Sequence, residues 1–503
     1  MSVVLSQSFR NTLILFLGFA IGGINTLFLY THFIDEDYYG LVTFLFSAAN
    51  LILPLVVFGT QHTIIKFFSS FSTKEKQDQF LSFTLLMPLF FIIPLGLIGT
   101  TFYNGISTWI SSKNAIIKNY SFIIFFSAIF MGYFEVFYAW TKVKLKSVFG
   151  NFVKEIFHRV CATILLFLVY FKVINEEQFV LAMLAVYFFR MLIMIVYALI
   201  VYTPKFNFTI PDNVKQLFSY SFFIIVAGSA GSILLEIDKV MIPQLIEIEE
   251  VAYYSVAIYI GSVVGIPLRA MQQIITPLTA KALNNNDNNE VERLYHKSSI
   301  NLLVVGGLLF LLINLNILDM YKIINKPSYT EGIWVVLIIS IAKLFDMLLG
   351  TNKIIIANSK YYRLFFYISV GMALTVIVFN RILIAKIGND GAALATLITN
   401  VIFGIVGIVL VKRKFGFLPF TSKTWISIAC IVIAFLGFSQ IPNDAFTFIK
   451  DIIVFDKNIS PVLSIIIRSI LVSFLYLVVI YSLKLSLDLN KTIQNIIQKR
   501  KLF

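Results

Sequence analysis

The chain has 503 residues, of which 59% are hydrophobic and 13% charged, with mean hydropathy +0.88; an ordinary soluble domain carries about 25% charged residues. A soluble globular fold is thereby excluded, because no water-facing surface could hold so much apolar side chain. The net charge of +14 does not call for an anionic partner such as nucleic acid, because basic cytoplasmic loops alone account for such an excess in a membrane protein.

A helix needs roughly 20 mostly apolar residues to cross the bilayer core. Such windows occur at 11–33, 41–64, 80–103, 119–140, 151–171, 178–202, 215–237, 251–278, 299–320, 332–356, 362–383, 390–411, 424–440 and 461–483, which predicts an all-α integral membrane protein of about fourteen spans. The first run follows Arg10 and leads into the acidic Asp35-Glu36-Asp37 rather than a small-residue cleavage site, so it is expected to stay as an anchor. The fifth opens with Lys154, Glu155, His158 and Arg159, and the thirteenth is short; losing either would invert the topology downstream.

Lysine and arginine accumulate in cytoplasmic loops. With the N-terminus inside, one set of loops carries Lys74, Lys76, Lys142, Lys144, Lys146, Arg293, Lys297, Lys412, Arg413 and Lys414, and the tail adds Lys499, Arg500 and Lys501. The opposite loops hold fewer, among them Lys113, Lys172, Lys322, Lys450 and Lys457. Both termini are therefore expected in the cytoplasm, with the protein in the cytoplasmic (inner) membrane. No polar segment is long enough to fold as a soluble domain, and no GxxxxGK[ST] loop occurs. Cys161 and Cys430 stand alone in apolar segments and read as packing residues. His32, His62, His158 and His296 form no paired catalytic or metal site, so no cofactor and no enzymatic activity is expected.

Two stretches recur at nearly one offset. Asp37-Tyr38-Tyr39-Gly40-Leu41-Val42 follows the first span, and Ala252-Tyr253-Tyr254-Ser255-Val256-Ala257 follows the seventh. Lys172-Val173-Ile174-Asn175-Glu176 precedes the sixth, and Lys386-Ile387-Gly388-Asn389-Asp390 the twelfth. A duplication of six spans follows, an even number, so both halves enter from the same side as a parallel repeat. The expected lobes are 1–210 and 211–415, with 416–503 adding two helices and a basic tail.

On these motifs, together with Leu234-Leu235-Glu236-Ile237-Asp238-Lys239-Val240-Met241-Ile242 and Gly388-Asn389-Asp390-Gly391-Ala392-Ala393-Leu394-Ala395-Thr396, the chain resembles the multidrug/oligosaccharidyl-lipid/polysaccharide (MOP) exporter superfamily, and within it the Wzx-type polysaccharide flippases. The resemblance covers the first twelve spans. It implies two lobes that face each membrane side in turn, and a cargo of undecaprenyl-pyrophosphate-linked oligosaccharide for surface polysaccharide. Expected partners are the lipid bilayer, that cargo, and polysaccharide polymerase or assembly proteins; a proton or Na+ is the candidate coupling ion. Two alternatives stand beside it: a MATE-like drug or cation antiporter of the same superfamily, and a membrane-embedded polymerase or acyltransferase.

Charges within spans are costly and normally face a cavity or a partner. Arg269 interrupts an apolar stretch of the eighth span and is a candidate to grip a pyrophosphate through paired hydrogen bonds. The resemblance implies cavity arginines on helices one, two and eight of lipid II flippases; Arg269 matches the eighth, whereas helices one and two carry none. Arg190, Arg468 and Lys343 are further cavity candidates, interhelical bonding being their blander account. Lys343 and Asp346 lie three apart on one helical face, where they can neutralise each other. Glu135, among aromatics, is the carboxylate best suited to proton coupling, since burial favours its protonated form. Asp238 and Lys239 with Glu236 are expected to snorkel at the outer end of the seventh span, and His62, ending the second span, is a candidate proton sensor.

Overall fold

The computed structural model describes residues 3–207, 209–211, 213–441, 453–454, 457–458, 460–491 and 494. Lys450 and the tail cations Lys499, Arg500 and Lys501 lie outside them. The described chain is helical apart from one hairpin, β1 (Ile453–Val454) antiparallel to β2 (Lys457–Asn458). In hydrocarbon a backbone must satisfy its own polar groups, and helices do so internally.

In chain order the helices are α1 (Val3–Ile24), extended by a π-helical turn Asn25–Leu29 and by Tyr30–Phe33; α2 (Glu36–Val57) and α3 (Thr60–Phe67); and α4 (Lys74–Leu86) and α5 (Leu89–Thr101), separated only at Met87-Pro88, where proline has no N–H for the helical ladder. After two short helices, Tyr103–Ile110 and Ile116–Tyr120, come α6 (Phe122–Val143) and α7 (Ser147–Phe152), which runs through a second π-turn, Val153–Phe157, into α8 (His158–Tyr170). They are followed by α9 (Glu176–Val201), α10 (Val214–Leu245), α11 (Glu249–Ser262), α12 (Ile266–Asn284) and α13 (Asn288–Asn314). The series closes with α14 (Ile317–Ile324), α15 (Ile333–Leu348), α16 (Asn352–Asn358), α17 (Tyr362–Phe415), α18 (Ser422–Ser439) and α19 (Ser460–Ser482).

Among the described residues eleven helices are long and apolar enough to cross a membrane, or twelve if the pair Pro327–Leu348 and Asn352–Asn358, bent by 54°, forms one span. This tally does not confirm the expected count of fourteen, and two stretches account for the difference. The expected spans 362–383 and 390–411 both lie in α17, which is two helices joined across a kink at Ile387 and Gly388, so counting α17 once lowers the tally by one. The stretch 151–171 is helical, but Lys154, Glu155 and Arg159 crowd its first turns. Shifted by about 215 residues, α4–α5 falls on α13, α6 on α15–α16, and α9 on the later part of α17, so the helix pattern repeats as the motifs do.

Two compact units are formed: Met1–Ser255 with Ile377–Gly388, and Val256–Val376 with Asn389–Phe503. In the first, α2 is the spine. It packs on α10 and α6, and α6 packs on α9, with Tyr39, Leu41, Val42, Phe44 and Leu45 among its buried residues. Gly40 is required by this packing, because a Cβ there would stand 2.1 Å from the Ile248 carbonyl oxygen. That carbonyl is fixed by Asn114, whose amide donates to Pro243 O (2.6 Å) and Ile246 O (3.0 Å) and whose Oδ1 accepts from the Ile248 N–H (3.1 Å). The Tyr-Tyr-Gly motif thus marks a close approach of α2 to the turn between α10 and α11.

In the second unit α13 is the spine, packed by α12, α15, α18 and α19. The α19 residue Tyr476 donates to Val304 O at 3.0 Å, and Gly307 leaves the room for its ring: a Cβ there would be 2.7 Å from the phenol oxygen.

Candidate functional site

In the first unit the charged side chains converge where α6, the α7–α8 segment and α9 meet. Glu135, Tyr138 and Lys142 fall on one face of α6 by helical spacing. Glu135 Oε1 lies 2.7 Å from the Lys154 ammonium, with 17% and 38% of the two side chains exposed. The Lys142 ammonium sits 3.8 Å from the centre of the Tyr138 ring.

Arg190 on α9 is buried behind them. Its guanidinium carbon is 4.2 Å from the Phe134 ring centre and 5.6 Å from that of Tyr187, and Nη2 donates to the Lys154 carbonyl at 3.4 Å. Among the described residues its Nε has no hydrogen-bond partner, nor does the buried Nδ1 of His158, whose ring stacks on Tyr187. Cation–π contact of this kind offsets part of the desolvation of a buried guanidinium.

Both π-turns border this place. The turn Val153–Phe157 contains Lys154, and the facing turn in the first span begins with Asn25. The Asn25 amide donates to Arg159 O and its carbonyl accepts from Thr163 Oγ1, both at 2.8 Å. Such insertions release backbone carbonyls from the regular ladder and are frequent at functional sites. Arg159 pairs with Glu155 at 3.1 Å. Lys142, Lys154, Arg159 and Arg190 therefore outnumber Glu135 and Glu155, and a surplus of positive charge within an apolar slab attracts an anion.

Several expectations need correction. Glu135, expected as a buried carboxylate whose protonated form is favoured, is the ion-pair partner of Lys154. The second span ends at Val57, before Gln61 and His62. Phe58 and Gly59 both take left-handed backbone (φ 52° and 64°), and His62 stands exposed on the new helix α3. Asp238 does not snorkel; it is buried, accepting from Tyr254 Oη (2.6 Å) and Asn380 Nδ2 (2.7 Å). Lys239 pairs with Glu236 at 2.5 Å.

In the second unit Asp346 pairs with Lys353, the second residue of α16, at 3.0 Å, whereas the spacing had pointed to Lys343. The stem of Lys343 lies beside Gly265, where a Cβ would be 3.3 Å from its Cδ. Arg468 is buried with Asp319 at 3.3 Å and also donates to Leu315 O at 2.6 Å, so its guanidinium is committed to joining α19 to α14. Arg269 stands exposed on α12. Lys142, Lys154 and His158 escaped the sequence-based candidates, although the signal was present: the charges that made the fifth span doubtful are those that build the cluster.

Residues 8–283 match the sequence model of the family described as Polysaccharide biosynthesis protein. No curated protein matches the sequence. Among solved structures the chain is similar to the lipid II flippase MurJ in an inward closed conformation (TM-score 0.68, 14% identity, covering 93% of this chain and 98% of that one). It is also similar to an inward-facing multidrug resistance MATE transporter of the MOP superfamily (TM-score 0.62, 12% identity, 80% and 94%). A MOP superfamily transporter from Pyrococcus furiosus gives TM-score 0.55 at 12% identity over 82% and 96%. At these identities the likeness is one of fold. The family match spans more than half of the sequence, and with it this multi-pass membrane chain belongs to the polysaccharide biosynthesis protein family, within the MOP transporter fold.

Proposed function

We propose that the protein is a flippase that carries undecaprenyl-pyrophosphate-linked oligosaccharide across the cytoplasmic membrane by alternating access, with both termini in the cytoplasm and lobes 1–210 and 211–415 followed by the helices of 416–503. The observation that carries the reading is the cationic, aromatic-walled cluster of Lys142, Lys154 and Arg190 in a polysaccharide-family chain. A pyrophosphate needs charge-assisted donors and gains most from them in a low-dielectric setting. Lys154 and Lys142 are the accessible donors, while Arg190 supplies field from behind. Arg269 is the corresponding candidate on α12, with Lys343 a second. Glu135, Asp346, Asp238, Lys239 and His62 remain candidates for coupling to a proton or Na+ gradient, and a polymerase is the expected consumer of the product.

Losing a hydrogen bond to a charged group costs about 1.5–3 kcal/mol, so Lys154→Ala and Arg269→Ala are each expected to lower surface polysaccharide about tenfold or more at unchanged protein abundance in the membrane. Normal polymer in both variants would overturn the assignment. The fold likeness to a multidrug transporter favours one second reading, export of organic cations. Efflux of an organic dye from loaded vesicles, unaffected by depletion of lipid-linked sugar, would favour it.

A further inference from the structure

At the end of the first unit where the first span finishes, two loops are pinned together by the Asp35 N–H, which donates to Glu176 Oε1 at 2.6 Å. Beside this bond lies a surface cavity of about 630 Å³ lined by Tyr38, Lys172, Asn175, Glu176, Glu177 and Gln178 with a few aliphatic neighbours. Asn175 caps α9 reciprocally with Gln178: Asn175 Oδ1 accepts from the Gln178 N–H (2.8 Å) and Gln178 Oε1 from the Asn175 N–H (3.0 Å). Their carbonyls are therefore used, and both NH2 groups are left to donate outward. Glu177 offers acceptor oxygens, Lys172 an ammonium, and Tyr38 a half-buried aromatic face.

This mixture narrows the ligand. An anion would meet Glu176 and Glu177, with Asp35 and Asp37 nearby in the sequence. A wholly apolar drug would leave the amide and carboxylate groups of the wall without partners. A chelated metal ion would need three converging carboxylate, histidine or thiol groups, and none occur among the described residues. A sugar ring presents hydroxyls that each donate and accept, together with an apolar face of C–H groups, so it needs amides, carboxylates and an aromatic surface side by side. The volume is of the order of a small-ligand site.

We infer that this cavity is a saccharide subsite that holds a neutral or amino sugar of the cargo's glycan, apart from the cluster around Lys154. The inference rests on the flippase reading and names where the head group, rather than the pyrophosphate, is recognised. Tyr38 and Glu177 are its specificity-determining residues.

Val173, 66% exposed on the cavity wall, provides the reporter. Full-length protein carrying Val173→Cys, with Cys161 and Cys430 replaced by Ser, is reconstituted in nanodiscs and labelled with a maleimide. The probe is the glycan released by mild acid from the lipid-linked oligosaccharide of the cells that make the protein. The glycan is expected to slow labelling. Tyr38→Ala or Glu177→Gln should raise the half-protecting concentration about tenfold, the loss of roughly one good contact, and Tyr38→Trp should restore it. Thermal unfolding indistinguishable from the parent's identifies variants that fold. Absence of glycan protection, equal protection in folded Tyr38→Ala, or protection by Ca2+ or by undecaprenyl pyrophosphate alone would overturn the subsite. Undecaprenyl pyrophosphate that fails to bind wild-type protein, with glycan protection intact, would instead count against the pyrophosphate cluster.

Discussion

Gly40 and Gly105 separate two meanings of one residue type. A Cβ at Gly40 would collide with the Ile248 carbonyl, whereas at Gly105 nothing lies within 4 Å. Overpacking of this kind costs typically 1–3 kcal/mol. Gly40→Ala should therefore lower the thermal midpoint of the detergent-solubilised protein, while Gly105→Ala, on the exposed helix Tyr103–Ile110, should leave it unchanged or slightly raised. Equal midpoints for both would contradict the close approach at Ile248. The motif Asp37-Tyr38-Tyr39-Gly40 was visible in the sequence, but its reason was not: the atoms that forbid a side chain belong to residues more than two hundred positions away. The same holds for Glu135, whose place among aromatics on α6 was visible in the sequence, while its ion-pair partner Lys154 comes from the next helical stretch.

Among the elements, α19 and α14 are joined by a buried polar lock. Asp319, 2% exposed, accepts from Ser464 (2.9 Å), Arg468 and the more exposed Lys322 (3.0 Å). Removing one partner of a buried pair strands the other at a cost of about 3–5 kcal/mol, whereas replacing both by apolar residues is often tolerated. Arg468→Met should thus destabilise the protein more than Arg468→Met with Asp319→Leu, as read by thermal unfolding in nanodiscs. The reverse order would show the pair to be dispensable. The kink in α17 gives a second test. Gly388 holds φ +57° and ψ −136°, a region essentially limited to glycine, and the atom nearest to an added methyl group would be Ile246 Cδ1 at 4.0 Å. Strain rather than space therefore sets the cost of Gly388→Ala, of order 1–3 kcal/mol, and Gly388→Asn should cost less than Gly388→Val in the same assay.

For the molecule as a whole, composition alone determined that lipid is the solvent, and hydropathy windows with one repeated offset determined the order of the helices, because apolar periodicity and Gly-containing break points are local properties of the chain. The count of separate spans was not fixed in this way: the kink of α17 at Ile387 and Gly388 does fall beside the polar Asn389-Asp390, but the π-turn before α8 tolerates charges that hydropathy counts against a span. What only the tertiary structure decided is which charges meet. Arg190, Lys154 and Glu135 sit on three different helical segments, and Arg468 finds Asp319 149 residues away. Partners of buried charges are chosen by which helix faces pack together, and that choice depends on side-chain shape summed over whole helices rather than on spacing along any one of them.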